Sequence, residues 1–293
     1  MNENAPALRR VASIPFSSLQ QTDEGCLCAS YCVCDLCALP DDVVLLVFGC
    51  TPSPCLLRAF SLHSQQQPSL REVCKLEDVR RAAYDTSTGT LLCALRCGVN
   101  DDDTTCLVSL HRDSSAFDWQ QDGRVSISIP WKELGELAVC DSRVLLAEHG
   151  RRLHAFDVSA QHGLSAAGTV EPEIQFKSFS FARVSADNLV AFSHETDVSL
   201  HRLAGLRLEP LDCIKFQNPS KLLFRADLLL VADRNEADSA DAILSLSATE
   251  GRLMRRTTLL NRLDVCINQW CLANDHLVVW DKNSYDILDY IFK

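Results

Sequence analysis

The sequence predicts an all-β fold, a six-bladed β-propeller, with seven blades as the near alternative. Three observations lead there. First, a phrase recurs six times: an apolar run, a polar gap, then a second apolar run. The copies begin at Val43, Thr90, Arg143, Asn188, Leu228 and His276, so successive starts lie 47, 53, 45, 40 and 48 residues apart. A period of roughly 40–50 residues built from several short strands is the signature of a propeller blade. Second, the last copy reaches Lys293 after only three strands. Third, a strand-like piece, LRRVASIPFSSL at 8–19, precedes the first copy. Strands at even spacing also suit two packed β-sandwiches, but the longer repeat fits blades better.

Each unit parses into four strands. The first reads SYCVCDLCALP, then VVLLVFG after the Asp41-Asp42 turn, then CLLRAFSL, then a strand somewhere in Ser69–Leu76. The second reads VRRAAYD, TLLCALR, CLVSLHR and RVSISIP, with TSTG at 86–89 as its first turn. In the last of these, Val125, Ile127 and Ile129 alternate with Ser126 and Ser128, the period of a strand with one wet face. The third reads ELAVCD, RVLLAEH, RRLHAFDV and about Ala166–Val170. The fourth reads FSFARVS, NLVAFSH, VSLHRLA and Leu208–Phe216. The fifth reads SKLLFRA, LLLVADR, AILSLSA and RLMRRTTLL. The sixth reads DVCINQWCLA, HLVVWDK and YDILDYIF and lacks a fourth strand. Full closure is how such folds remove exposed sheet edges. Residues 9–19 are therefore expected to complete the sixth unit beside Leu288–Phe292, making 1–293 one domain with 1–8 as a disordered lead. Helix is expected only in short pieces, at Ser69–Leu76 or Pro130–Glu136.

The phrases resemble propeller repeats of the WD-repeat and NHL-repeat type. AFDV at 155–158 and VVWD at 278–281 resemble the third-strand ending of a WD repeat, and DLLLVADRN at 227–235 resembles the second strand of an NHL blade. There is no Gly-His pair at the unit starts, and Trp-Asp occurs once. The resemblance implies a rigid ring that uses one face for recognition.

Composition narrows the function. With 47% hydrophobic residues in 293, the chain has ample material for a core. No run of 18 apolar residues exists, so no membrane span is expected. The N-terminus lacks the apolar stretch of a secretory signal, which points to a cytoplasmic or nuclear protein that is not secreted. A net charge of −11 disfavours nucleic acid, whose phosphates call for a basic surface. Paired arginines at 80–81, 151–152 and 255–256 read as solvated strand ends. The fifteen cysteines include Cys93, Cys106, Cys140, Cys266 and Cys271 inside apolar strands, where a reduced thiol packs as a small hydrophobe.

Motifs of catalysis are absent: there is no G-x-S-x-G, no G-x-x-x-x-G-K, no G-x-G-x-x-G and no H-E-x-x-H. Cys26, Cys28, Cys32, Cys34 and Cys37 lie within twelve residues. Thiolates ligate zinc, but only Cys34 and Cys37 have the common spacing, and a flat strand splays its ligands. No metal and no cofactor are expected. Trp270 is expected in the core, Trp280 at a strand end facing a loop.

Loops between second and third strands gather on one side of a propeller. Here they are 50–54, 98–104, 148–151, 194–197, 233–241 and 281–284. The expected binding face comprises His149, Arg151, His194, Glu195, Asp233, Arg234, Trp280, Asp281 and Lys282. A mixed, polar ring on a rigid scaffold suits a peptide or protein partner, so the leading expectation is a non-catalytic adaptor or scaffold subunit of an intracellular complex. A metal-dependent propeller hydrolase or lactonase is the enzymatic alternative and would need several carboxylates converging on the axis. RNA binding is a third, disfavoured by charge.

Overall fold

A computed structural model describes residues 9–15, 32–41, 43–49, 56–61, 71–73, 76, 78–97, 104–112, 119–159, 163–234, 240–248, 253–258, 270–273, 276–281 and 284–289. Among them the chain is all β apart from one short turn of 3-10 helix. β1 (Arg9–Pro15) comes first. Sheet one is β2 (Cys32–Leu39), β3 (Val43–Gly49), β4 (Leu56–Ser61) and β5 (Arg71–Glu72). Sheet two is β6 (Val79–Asp85), β7 (Thr90–Cys97), β8 (Thr104–Arg112) and β9 (Trp119–Pro130). Sheet three is β10 (Leu134–Cys140), β11 (Arg143–Glu148), β12 (Arg152–Ser159) and β13 (Gly163–Val170). Sheet four is β14 (Ser178–Val184), β15 (Asp187–Ser193), β16 (Asp197–Ala204) and β17 (Arg207–Lys215). Sheet five is β18 (Pro219–Arg225), β19 (Leu228–Arg234), β20 (Ala240–Ser247) and β21 (Leu253–Thr258). In the sixth, β22 (Trp270–Ala273), β23 (His276–Asp281) and β24 (Ser284–Asp289) are followed by β1 on the outside.

Every pairing is antiparallel between neighbours in the chain, except that of β24 with β1. There Arg9 lies opposite Asp289 and Pro15 opposite Ser284. This register sits earlier on the last strand than the expected pairing with Leu288–Phe292. β24 starts at Ser284, opposite Asp281. Residues 1–8, 16–19 and 290–293 lie outside the described residues.

The second strand of sheets one to five is an apolar run because it is buried on both faces. In β7, Leu91, Cys93 and Leu95 pack toward sheet one, while Leu92 and Ala94 pack toward sheet three. In β11, Val144 and Leu146 face sheet two and Leu145 and Ala147 face sheet four. The period of two thus sends alternate side chains into two different cores. Burying each such leucine contributes about 1.5–3 kcal/mol. First strands neighbour one another in the order β22, β2, β6, β10, β14, β18.

Four of those first strands share a defect. One extra residue falls between the partners of Phe48 and Val47 in β2, and of Leu95 and Ala94 in β6. One falls likewise between the partners of Glu148 and Leu146 in β10, and of Asp233 and Val231 in β18. These bulges lie at one height. A bulge turns the strand and re-aims the side chain beside it, and at that height stand Asp35, Arg81, Glu136 and Lys221.

Some expected elements differ. The fourth strand expected within Ser69–Leu76 is β5 at Arg71–Glu72, paired with β4, so these residues are extended rather than helical. The helix expected over Pro130–Glu136 is a single turn at Trp131–Glu133, since Leu134 is already extended and starts β10. β9 begins at Trp119, earlier than the apolar alternation suggests, because Trp119 is buried edge-on against Tyr84 at 5.9 Å. Cys106, expected as a reduced core thiol, is joined to Cys97 by a disulfide. Arg80 and Arg81 are not a solvated strand end. Arg80 lies over the Trp131 ring at 5.6 Å and donates to its carbonyl at 2.7 Å.

Candidate protein-binding end and polar axis

Two polar arrangements stand out. The first runs around the axis. Asp35 on β2 accepts the Ala82 N–H of the next sheet at 3.1 Å. Arg81 on β6 donates to the Gly135 carbonyl of sheet three at 2.9 Å. Glu136 on β10 accepts the Phe179 N–H of sheet four at 2.7 Å. Ser180 on β14 accepts the Phe224 N–H of sheet five at 3.1 Å. Lys221 on β18 then reaches back to Glu136, 3.2 Å away. Four consecutive first strands, β2, β6, β10 and β14, therefore each send one polar side chain onto the backbone of the next. Strand edges facing an axis leave N–H and C=O groups that need partners, and these side chains supply them. Burial raises the Asp35 carboxyl above its usual value, opposed by the charges of Arg81 and Lys221.

The second arrangement is a ridge at one end of sheets two to five. Its parts are the Trp131–Glu133 turn, the 148–151 turn, the 171–177 connection, the 194–197 turn and residues 216–218. Backbone bonds tie them together: His149 N–H to Glu133 at 2.8 Å, Phe176 N–H to Gly150 at 2.9 Å, and Phe216 N–H to Thr196 at 2.9 Å. Gly150 has a φ of +67°, and a Cβ there would collide with the Phe176 carbonyl oxygen. Only glycine lets the connection lie so close.

Side chains complete the ridge. His194 Nδ1 bonds the Gln175 carbonyl at 2.9 Å. A carbonyl only accepts, so Nδ1 carries the proton. In the neutral ring Nε2 then accepts from the Ser199 hydroxyl at 2.8 Å, and His201 Nε2 donates to that oxygen at 3.0 Å. The hydroxyl is used as both donor and acceptor. His201 Nδ1 is buried and without a partner among the described residues, and its pKa is lowered by burial and then by His194, against Glu173. Lys177 pairs with Glu195 at 2.8 Å and donates to Asn218 at 3.1 Å. The solvent-facing tip carries Arg151, Glu195 (84% exposed) and Ile174 (65% exposed).

Of the residues expected at a binding face, the structure brings His149, Arg151, His194, Glu195 and Asp233 to this end. His149 and Arg151 are exposed on the turn. Asp233 is buried and accepts the Asn218 N–H at 3.1 Å, which holds the ridge and presents nothing outward. Arg234 is the last residue of β19, and Trp280 and Asp281 end β23. Lys282 lies outside the described residues. Trp270 is buried, as a core residue would be. Sequence reading missed Ile174, whose connection has no repeat signal, and missed the axial side chains, whose placement depends on the bulges.

Among the described residues no three His, Cys, Asp or Glu gather in a way that could hold a metal ion. Cys26 and Cys28 of the cysteine cluster lie outside those residues, and Cys37 is buried with its thiol pKa pushed well up by burial. No described helix is long and apolar enough to cross a membrane.

Solved structures share this arrangement. Hsv2 of Kluyveromyces lactis matches at 13% identity and a TM-score of 0.53, over 86% of this chain and 71% of its own. Hsv2 of Kluyvelomyces marxianus matches at 13% identity and a TM-score of 0.53, over 90% of this chain and 74% of its own. The structural neighbours are β-propeller proteins. The fold is a β-propeller arrangement. At these identities the likeness speaks to fold alone. By sequence, no family and no curated protein matches the chain.

Proposed function

We propose that this chain is a non-catalytic propeller that binds a protein or peptide through the ridge, as an adaptor or scaffold subunit of an intracellular complex. We further propose six blades in one closed domain, with Arg9–Pro15 completing the sixth. The observation that carries the binding reading is the tip of the ridge. An exposed isoleucine, Ile174, lies in the 171–177 connection, whose backbone is bonded to the 148–151 turn and whose Lys177 pairs with Glu195 of the 194–197 turn. Interfaces combine an apolar contact with a polar rim, and a pre-ordered surface loses little entropy on binding.

The axis favours the non-catalytic reading. Glu136 bonds a backbone N–H and Lys221, and Asp35 accepts the N–H groups of Leu36 and Ala82. Carboxylates already engaged in this way are poorly disposed to hold a catalytic cation. The net charge of −11 favours a protein over a nucleic acid.

The test is isolation of the intact chain from its own cells, beside an Ile174→Asp, Arg151→Glu variant of equal thermal stability. A stoichiometric protein partner that the variant loses supports the reading. Recovery of the wild-type chain alone, or equal recovery of partners by both, overturns it.

A further inference from the structure

We propose that Ser13 is a phosphorylation site for an ATP-dependent, basic-directed protein kinase, and that its phosphate unlatches β1 from the sixth sheet. The proposal rests on the reading that β1 closes the ring.

The sequence RRVAS at 9–13 places Arg10 three residues and Arg9 four residues before Ser13. Cations in that position before a serine in extended backbone suit an acidic peptide-binding cleft. β1 is extended and, among the described residues, lies at the edge of its sheet, bonded to β24 alone. An edge strand held by one ladder opens more readily than a central one. Once open, it offers the kinase an extended peptide.

Register decides the consequence. Ser13 stands directly opposite Asp286, while Arg9 stands opposite Asp289. Residues so placed in an antiparallel pair lie about 4.5–5.5 Å apart at Cβ, and like charges there are destabilising. In the transfer, the serine oxygen bonds to the γ-phosphorus of ATP. The bond from that phosphorus to the β,γ-bridging oxygen breaks, ADP leaves, and the hydroxyl proton passes to the kinase's base. The product carries about −1.5 to −2 charge, at the register position opposite Asp286. Re-pairing is then opposed, and the edge of β24 is left open to another strand.

The experiment treats the full chain with a basic-directed kinase and Mg-ATP. It locates the phosphate by mass spectrometry and follows amide hydrogen exchange over 284–289. Ser13→Glu, Ser13→Gln and Ser13→Glu with Asp286→Asn are compared. The expected result is phosphate on Ser13 and exchange about tenfold faster in the phosphorylated and Ser13→Glu chains, with Ser13→Gln like wild type and Asp286→Asn restoring protection. No phosphate on Ser13, equal loss in the Gln and Glu variants, or no restoration overturns the proposal. If 284–289 exchanges freely in the unmodified wild type, the ring-closing reading itself fails.

Discussion

Lys221 Nζ lies 3.2 Å from Glu136 Oε1, although the two residues belong to sheets five and three and sheet four lies between them. Glu136 also accepts the Phe179 N–H from that intervening sheet. One carboxylate therefore fastens three sheets at the axis.

A double-mutant cycle with Glu136→Gln and Lys221→Met measures this pair. Both side chains are about four-fifths buried, between an exposed pair, worth about 0–1 kcal/mol, and a fully buried one. A coupling of about 1–2 kcal/mol in urea unfolding is expected. Additive effects would show that the two residues act independently.

Gly150→Ala tests the ridge. The alanine meets both the positive φ and the Phe176 carbonyl, so a loss of about 2–3 kcal/mol is expected. Hydrogen exchange should quicken first in 171–177. Gly163 also has positive φ but open space around it, so Gly163→Ala should cost less. Equal costs would contradict the proposed close approach.

The pH dependence should carry a mark of His201. Burial lowers its folded pKa below the ordinary 6.5, so the unfolded chain binds the proton more readily. Stability is then full above 6.5 and falls as pH drops from there through the lowered folded value. Urea midpoints measured from pH 7.5 down to 5 should decline, and His201→Gln should flatten part of that decline. An unchanged slope in the variant would place the proton uptake elsewhere.

Thiol labelling should separate the cysteines. Cys271 is buried and its pKa is pushed up to about 12, by burial first and then by Asp35. Cys213 is exposed, with a thiol raised by burial and by Asp197. Iodoacetamide on the folded chain should modify Cys213 while sparing Cys37 and Cys271. The Cys213 rate should climb with pH past the usual thiol range, and Asp197→Asn should quicken it near neutrality. Early labelling of Cys271 would contradict the packing of β22 against β2.

Much of the fold was legible because the second strands are buried on both faces. Runs such as LLLVADR at 228–234 and VVLLVFG at 43–49 coincide with β19 and β3. Outer strands were harder to bound, as β5 and β9 show, because a strand with wet faces needs no apolar pattern. The axial residues were hidden for a different reason. Asp35, Arg81 and Glu136 look like ordinary strand charges until a bulge turns each toward the next sheet, and so does Lys221 until it reaches back to Glu136. At the candidate face, the loops between second and third strands gave His149, Arg151, His194 and Glu195. Ile174 went unseen because it lies in a connection between sheets, outside every repeat.

The measurement that bears most directly on the binding claim is a hydrogen-exchange footprint of the chain with its purified stoichiometric partner. Slower exchange confined to 148–151, 171–177 and 194–197 is the expected result. Protection at the opposite turns, around 86–89 and 141–142, with none on the ridge, would contradict it.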